Sequence, residues 1–201
     1  MATRLASTIG TMSKIEPWEE VRREYGVDLI IARQRTDHLR HPKSGRVFAR
    51  TILEVPDWVN VVARTPVSED HPDGELIVVR QWRFGRESVS VEIPGGVIDP
   101  GEDHETAAKR ELREETGYTS TNWTYLGKVE SNPAFLSNVC HHWLAEDCTE
   151  THELDLDEGE DIAVERIAWQ AVPAAVHDGT LAHSLVVTAL SMVFDLRLGR
   201  G

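Results

Sequence analysis

The sequence predicts a mixed α/β domain in which helices cover the faces of a sheet. Strand-like runs rich in β-branched and aromatic residues occupy residues 26–39, 46–55, 58–65, 75–84, 88–93, 125–131, 139–148 and 162–169. A helical pattern over His104–Glu115 follows a glycine-rich turn, with Asp103 as the expected N-cap and Gly117 as the expected C-terminal cap. A second helical pattern, over residues 181–196, closes the chain.

Length and composition suit one domain with an N-terminal arm in a chain of 201 residues. We expect a flexible tail over residues 1–16, a strand-rich region over residues 17–57 and the main domain over residues 58–201. The first residues lack the continuous apolar segment of a signal peptide, and no run of about 18 apolar residues predicts a membrane span. The net charge of −13 argues against nucleic-acid and anionic-membrane partners. Two cysteines, Cys140 and Cys148, fall in one expected strand and fit reduced thiols in a cytoplasmic protein.

The helix at His104–Glu115 is crowded with glutamates. Glu111 lies three residues before Glu114 and four before Glu115, so the three carboxylates share one helix face. Carboxylate oxygens in such a cluster suit Mg²⁺, which substrate phosphates commonly complete. The competing interpretation is an ordinary solvated acidic face, because glutamate is a good helix former.

The spacing favours the metal site. Gly96 is followed by five residues and Glu102, then by seven residues and the run RELREETGY, which starts at Arg110. This resembles the Nudix box, G-x5-E-x7-R-E-U-x-E-E-x-G-U, in which U is a bulky aliphatic residue. All seven fixed positions match, and only Tyr118 departs, at the last U position.

Membership of the Nudix family would imply an α/β/α sandwich with a mixed sheet and the hydrolysis of a nucleoside diphosphate linked to another group, with Mg²⁺ or Mn²⁺ as the cation. By this resemblance, Glu111 and Glu115 are the main metal ligands, and the Gly95 carbonyl is a backbone ligand. Glu114 is a further ligand or bridge with a catalytic role. Arg110 orients a glutamate through a charge-assisted hydrogen bond.

The flanks of the box resemble the branch of the family that acts on ADP-ribose and nucleoside diphosphate sugars. Arg83 matches an arginine that contacts substrate phosphate, and Glu92 matches a glutamate near the terminal ribose or sugar. Pro133 stands where this branch carries a proline. Gly95 replaces an alanine that is common in ADP-ribose hydrolases, so a sugar-nucleotide hydrolase of broader specificity stays open.

The general base is expected in the acidic segment between Asp155 and Asp161. By resemblance, Glu158 best matches the loop glutamate of the family, with Glu160 as the second candidate, as base or as an extra metal ligand. A solvated surface loop is the alternative explanation for this run of acids.

The strand-rich region before the box predicts a homodimer, again by resemblance. Trp18, Trp58 and Trp82 could serve the dimer or stack on a base, although core packing explains each of them as well. His141 and His142 are adjacent in a strand and should point to opposite faces, which argues against a paired metal site.

Two other functions compete with cleavage of a nucleoside diphosphate sugar into a nucleoside monophosphate and a sugar phosphate. One is Nudix hydrolysis of nucleoside triphosphates or dinucleoside polyphosphates. The other is a non-catalytic nucleotide sensor, which the intact box disfavours.

Overall fold

The computed structural model describes residues 15–197, so most of the predicted tail over residues 1–16 lies outside the described residues. The chain divides into two compact units, one ending at Glu54 and the other beginning at Val55. The predicted boundary between residues 57 and 58 lies three residues further on.

The first unit is a three-stranded antiparallel sheet in the order β1-β2-β3, formed by β1 (Glu19–Asp28), β2 (Arg33–Arg40) and β3 (Val47–Glu54). The single strand predicted over residues 26–39 was wrong, because a turn at Leu29–Ala32 splits that run and the Leu29 amide donates to the Ala32 carbonyl at 2.7 Å. This turn carries no glycine, proline or asparagine, so the usual turn residues did not mark it.

The second unit is built on a mixed sheet. Its strands are β4 (Trp58–Arg64), β5 (Glu75–Arg83), β6 (Ser88–Glu92), β8 (Asn122–Glu130), β9 (Val139–Glu146) and β11 (Ile162–Ala168). The strand order is β11-β5-β4-β9-β8, and β6 pairs with the outer part of β5. Of these strand pairs, β4 with β9 is parallel and the others are antiparallel. Two short strands, β7 (Tyr118–Thr119) and β10 (Thr149–Glu150), pair separately.

Helices cover both faces of this sheet, so the predicted α/β/α layering is confirmed. Helix α1 (His104–Thr116) packs Ala107, Ala108 and Leu112 on one face. The opposite face is covered by α2 (Val172–His177) and α3 (Ser184–Ser191), which follow a 3-10 turn over Trp169–Ala171. The closing helix is shorter than the predicted span of residues 181–196. Among the described residues, no helix is long and apolar enough to cross a membrane.

Both predicted caps of α1 are confirmed. The Asp103 carboxylate accepts from the amides of Glu105 and Thr106 at 3.0 and 3.1 Å. Gly117 ends the helix in the left-handed region at φ 74°, and its amide donates to the Arg113 carbonyl at 2.8 Å. These caps fix where the glutamate-rich face of the helix begins and ends.

Candidate active site

The glycine turn enters the sheet where β4 and β5 separate. These strands pair only at the end that holds Ala63 and Arg64. Beyond it the turn lies along β4, with the Val61 amide donating to the Pro94 carbonyl at 2.8 Å and the Val59 amide to the Gly96 carbonyl at 2.9 Å. The turn therefore lies against the sheet as an extra, irregular strand.

Glycine is required at positions 95 and 96 because neighbouring atoms lie too close to leave room for a side chain. A Cβ atom on Gly95 would lie 2.2 Å from the Val59 carbonyl oxygen. A Cβ atom on Gly96 would lie 2.6 Å from the carboxyl group of Glu111. Any side chain at Gly96 would displace this carboxylate from its position over the turn.

Glu111 and Glu115, one turn apart on α1, hold their carboxylates over the two glycines. Glu115 is only 3% exposed and accepts a hydrogen bond from the Gly95 amide at 2.9 Å. Burial raises the pKa of Glu111 to about 7, and the neighbouring Glu114 and Glu160 carboxylates add to that rise. Burial likewise raises the pKa of Glu115 to about 8, with further contributions from Glu111 and Glu160. A buried carboxylate and a partly buried one that repel each other form a site that a cation would stabilise.

Arg110 holds Glu102 and Glu111 in place at the edge of the Glu111 and Glu115 pair. It donates to both oxygens of Glu102, at 3.0 and 2.9 Å, and to Glu111 at 2.8 Å. A further bond from its Nη2 to the Val97 carbonyl, at 2.9 Å, ties the helix to the glycine turn. The bonds to Glu102 raise the pKa of Arg110 above its ordinary value.

Glu114 is held by two arginines of its own helix, and it shares one of them with Glu111. Its carboxylate accepts from Arg110 at 3.1 Å and from Arg113 at 2.8 Å. Across residues 15–197, no three histidine, cysteine or acidic side chains converge as a complete metal cage. The sequence pattern placed Glu114 on the shared face but did not reveal that Arg113 competes for its carboxylate.

The donor set of Glu111 and Glu115 nevertheless fits a hard divalent cation. Both offer carboxylate oxygens, and two ligands suffice for Mg²⁺, which keeps several waters and is usually completed by substrate phosphates. The Gly95 amide is committed to Glu115, whereas the neighbouring carbonyls of Pro94 and Gly96 are bonded to β4. The backbone ligand expected in this turn is therefore the Gly95 carbonyl.

Arg83 and Glu92, both predicted to bind substrate, form a bidentate ion pair on the face of the sheet that α1 covers. Arg83 Nε and Nη2 donate to the two Glu92 oxygens at 2.8 and 2.7 Å. The Glu92 side chain is 4% exposed, whereas that of Arg83 is 45% exposed. The Arg83 guanidinium also interacts electrostatically with Glu115 and Glu160, so it lies near the carboxylate pair. Its Nη1 group remains for a ligand.

The acidic segment between Asp155 and Asp161 brings Glu160 toward Arg83 and the carboxylates of Glu111 and Glu115. Antiparallel pairing of β11 with β5 sets Ile162 opposite Gln81. Continuing that register by two residues sets Glu160 opposite Arg83, which explains its effect on the pKa values of Glu111 and Glu115. A turn holds Glu160 in place, because its amide donates to the Asp157 carbonyl at 2.9 Å and its carboxylate accepts from the Asp157 amide at 3.1 Å.

Glu158 lies at the tip of the same turn and is exposed, as Glu160 is, and Pro133 is exposed in the loop between β8 and β9. The strand register was the signal that could have ranked Glu160 above Glu158 from the sequence, once β5 and β11 were known to pair.

Trp82 is 51% exposed, whereas the two histidines and the two cysteines noted in the sequence are buried. His141 stacks on His104 with ring centroids 4.2 Å apart, whereas His142 is fully buried on the opposite sheet face. Cys140 and Cys148 are both buried and free, although Cys148 lies just beyond the end of β9. Burial raises the pKa of each thiol to about 12, so neither is a nucleophile at neutral pH.

Comparison with known proteins agrees with this arrangement. The NUDIX domain model matches residues 59–189. An ADP-ribose pyrophosphatase of Bacillus subtilis is 38% identical over 118 residues, which cover 57% of this chain and 60% of that protein. The ADP compounds hydrolase NudE of Escherichia coli is 31% identical over 136 residues, covering 68% of this chain and 70% of that protein. A crystal structure of an ADP compounds hydrolase superposes with a TM-score of 0.76 at 23% identity, over 90% of this chain and 95% of that one.

The chain therefore belongs to the NUDIX family, as the box predicted. The match spans 60% of the length of the Bacillus relative. The superposed crystal structure supports the fold, and its low identity carries no argument about the substrate.

Proposed function

We propose that this protein hydrolyses the pyrophosphate bond of ADP-ribose or a related nucleoside diphosphate sugar, giving a nucleoside monophosphate and a sugar phosphate. The observation that carries the proposal is the buried pair Glu111 and Glu115 over the glycine turn, with Arg83 beside it. Relatives named as ADP-ribose pyrophosphatases in Bacillus subtilis and Saccharomyces cerevisiae, both 38% identical over the matched residues, support this substrate class.

The proposed division of roles follows the positions of the residues. Glu111, Glu115 and the Gly95 carbonyl hold Mg²⁺, or Mn²⁺ in its place, and Glu114 joins them only if it leaves Arg113. When bound, the cation supplies Lewis-acid stabilisation of the phosphate oxygens and an acidified water. Arg83 binds a substrate phosphate through Nη1, while Glu92 holds its guanidinium in orientation. Pro133 would line the substrate from the loop before β9.

We propose Glu160 as the general base, with Glu158 as the alternative. Glu111 and Glu115 are committed to the cation, so the proton of the attacking water needs another acceptor. Glu160 interacts electrostatically with both of them and with Arg83, which supports this choice. Water adds to one phosphorus atom, the bridging oxygen leaves with the other phosphate, and the water proton passes to the base.

A substrate screen tests the proposal. ADP-ribose, GDP- and UDP-sugars, nucleoside triphosphates and dinucleoside polyphosphates would be incubated with the protein and Mg²⁺, and the products identified by chromatography. We expect ADP-ribose or a nucleoside diphosphate sugar to give the highest kcat/KM, with a nucleoside monophosphate and a sugar phosphate as products. Release of inorganic pyrophosphate from triphosphates as the dominant reaction would overturn the proposal.

A further inference from the structure

A groove lies on the side of α1 that faces away from the Glu111 and Glu115 carboxylates. It has a volume of about 540 Å³ and runs between α1 and the start of β8. Its lining includes Lys109, Arg113, Ser120, Trp123 and His152. The volume lies in the range of sites for small organic ligands, roughly 300–1,000 Å³. None of its lining residues is assigned a role in the proposed hydrolysis, apart from Arg110 and Glu102, which order the helix edge.

The groove contains a fixed aromatic surface. The Trp123 indole N–H donates to the Ser120 carbonyl at 2.9 Å, and the ring meets Trp143 edge-on with centroids 6.2 Å apart. These two contacts hold the indole ring, which forms part of the lining of the groove. The Lys109 ammonium lies 5.8 Å from the ring centroid. A planar ring stacked on Trp123 would therefore lie next to a cation.

Two cations from successive turns of α1 flank this surface. Lys109 pairs with Glu105 at 2.6 Å, and Arg113 uses its Nη2 to bind Glu114 at 2.8 Å. Both cations are nearly half exposed, and exposed ion pairs of this type are weak, so they yield readily to a doubly charged anion. Each cation also keeps donors that the pair does not use.

The acidic residue of the lining is already neutralised, and an imidazole belongs to the same lining. Both oxygens of Glu102 accept from Arg110, which limits its repulsion of an anion. The amides of Thr151 and His152 donate to the Gly117 carbonyl at 2.9 and 3.1 Å, which fixes this segment to the end of α1. The Thr151 hydroxyl bonds to His152 Nδ1 at 2.8 Å, so Nε2 remains for a ligand.

We propose that this groove binds a nucleoside monophosphate, with its phosphate held by Lys109, Arg113 and His152 and its base stacked on Trp123. The combination of a fixed indole, two cations and an imidazole is complementary to a planar base joined to a phosphate. The local basic groups matter because the chain as a whole has a net charge of −13 and repels anions elsewhere. The site shares Arg110 with the edge of the proposed hydrolytic centre, but it lies on the opposite side of α1 and does not depend on the substrate proposed for that centre.

Residue-specific NMR titration of the full-length, Mg²⁺-loaded protein tests this inference. AMP and inorganic phosphate are the probes, and the Trp123 indole N–H and the His152 ring protons are the reporters. AMP should shift both reporters, whereas inorganic phosphate should shift His152 alone. The double variant Lys109→Gln/Arg113→Gln should weaken AMP binding at these reporters at least tenfold. Arg80→Gln, which removes an exposed and paired cation of β5, should leave it unchanged.

Arg83→Ala separates this groove from the hydrolytic centre, because it should leave the shifts of Trp123 and His152 intact. The inference is overturned if millimolar AMP leaves both reporters unshifted. It is also overturned if Arg83→Ala abolishes the shifts while the Lys109→Gln/Arg113→Gln variant keeps them. A Trp123 shift of equal size with inorganic phosphate would refute stacking of the base.

Discussion

Arg83 and Glu92 form a pair in which a half-exposed guanidinium is held by a carboxylate buried to 4% exposure, through bonds of 2.8 and 2.7 Å. The Arg83 bonds hold the pKa of Glu92 below its ordinary value against the opposing effect of burial. Because both Glu92 oxygens are occupied, we expect this residue to act on substrate through Arg83.

A double-mutant cycle tests this relationship. Arg83→Ala should raise KM more than it lowers kcat, since it removes binding shared by ground and transition states. Glu92→Gln should raise KM in the same direction, and the double variant should be no worse than Arg83→Ala alone. Additive effects in steady-state kinetics would show that Glu92 contacts the substrate independently.

Activity should require a divalent cation held by Glu115. Glu115→Gln should lower kcat by about a hundredfold or more, because it removes a charged ligand from the metal site. Mn²⁺ binding, measured by electron paramagnetic resonance, should weaken in parallel. Glu105→Gln, an exposed position on the same helix, is the matched control and should bind Mn²⁺ normally. Near wild-type turnover in Glu115→Gln would refute the ligand assignment.

Substitution of Glu160 and substitution of Glu158 should affect kcat to different extents. Glu160→Gln should lower kcat strongly while leaving Mn²⁺ affinity nearly intact, because it removes the carboxylate that we propose as the proton acceptor. Glu158→Gln, at the exposed tip of the turn, is the control and should have the smaller effect. Stopped-flow kinetics that show the reverse order would place the base at Glu158. If both variants turned over normally, an acidified water would suffice without a carboxylate base.

The stability of the metal-free protein should depend on pH. The pKa values of Glu111 and Glu115 are raised to about 7 and about 8, so the folded state holds these protons more tightly than the unfolded state. Their contribution to stability is therefore present at low pH and is lost as the pH rises through those values. The free energy of unfolding in urea with EDTA should fall between about pH 5.5 and about pH 8.5. Saturating Mg²⁺ or the Glu115→Gln substitution should reduce this slope, and an unchanged slope would contradict the assigned pKa values.

The N-terminal unit should form a homodimer contact. Val27, Ile30 and Ile31 in its first hairpin are 61%, 104% and 74% exposed, an unusual surface for a β-hairpin that stays free in water. Light scattering should give twice the chain mass of 22.6 kDa. Ile30→Asp should shift the protein toward the monomer, whereas Val67→Asp, exposed in the second unit, should not. A wild-type mass of one chain at micromolar concentration would contradict the dimer.

Local sequence was sufficient to predict the central part of the site. Asp103 and Gly117 fix the ends of α1, and the spacing from Gly96 to Glu111 is short enough for one turn and one helix to set it. The turn at Leu29–Ala32 shows the limit of this reasoning, because no local residue type marks it. The hairpin is decided by which strands pair, which is a property of the whole sheet.

The sequence by itself determined the family, the layered fold and the ends of the glutamate helix, because helix caps and helical periodicity act over a few residues. Only the tertiary structure decided which carboxylates meet. Glu114 pairs with Arg110 and Arg113 inside one helix, so that competition is local. Pairing of β11 with β5, by contrast, brings Glu160 toward Arg83 across nearly eighty residues of chain. That outcome depends on strand register, which no short stretch of sequence specifies.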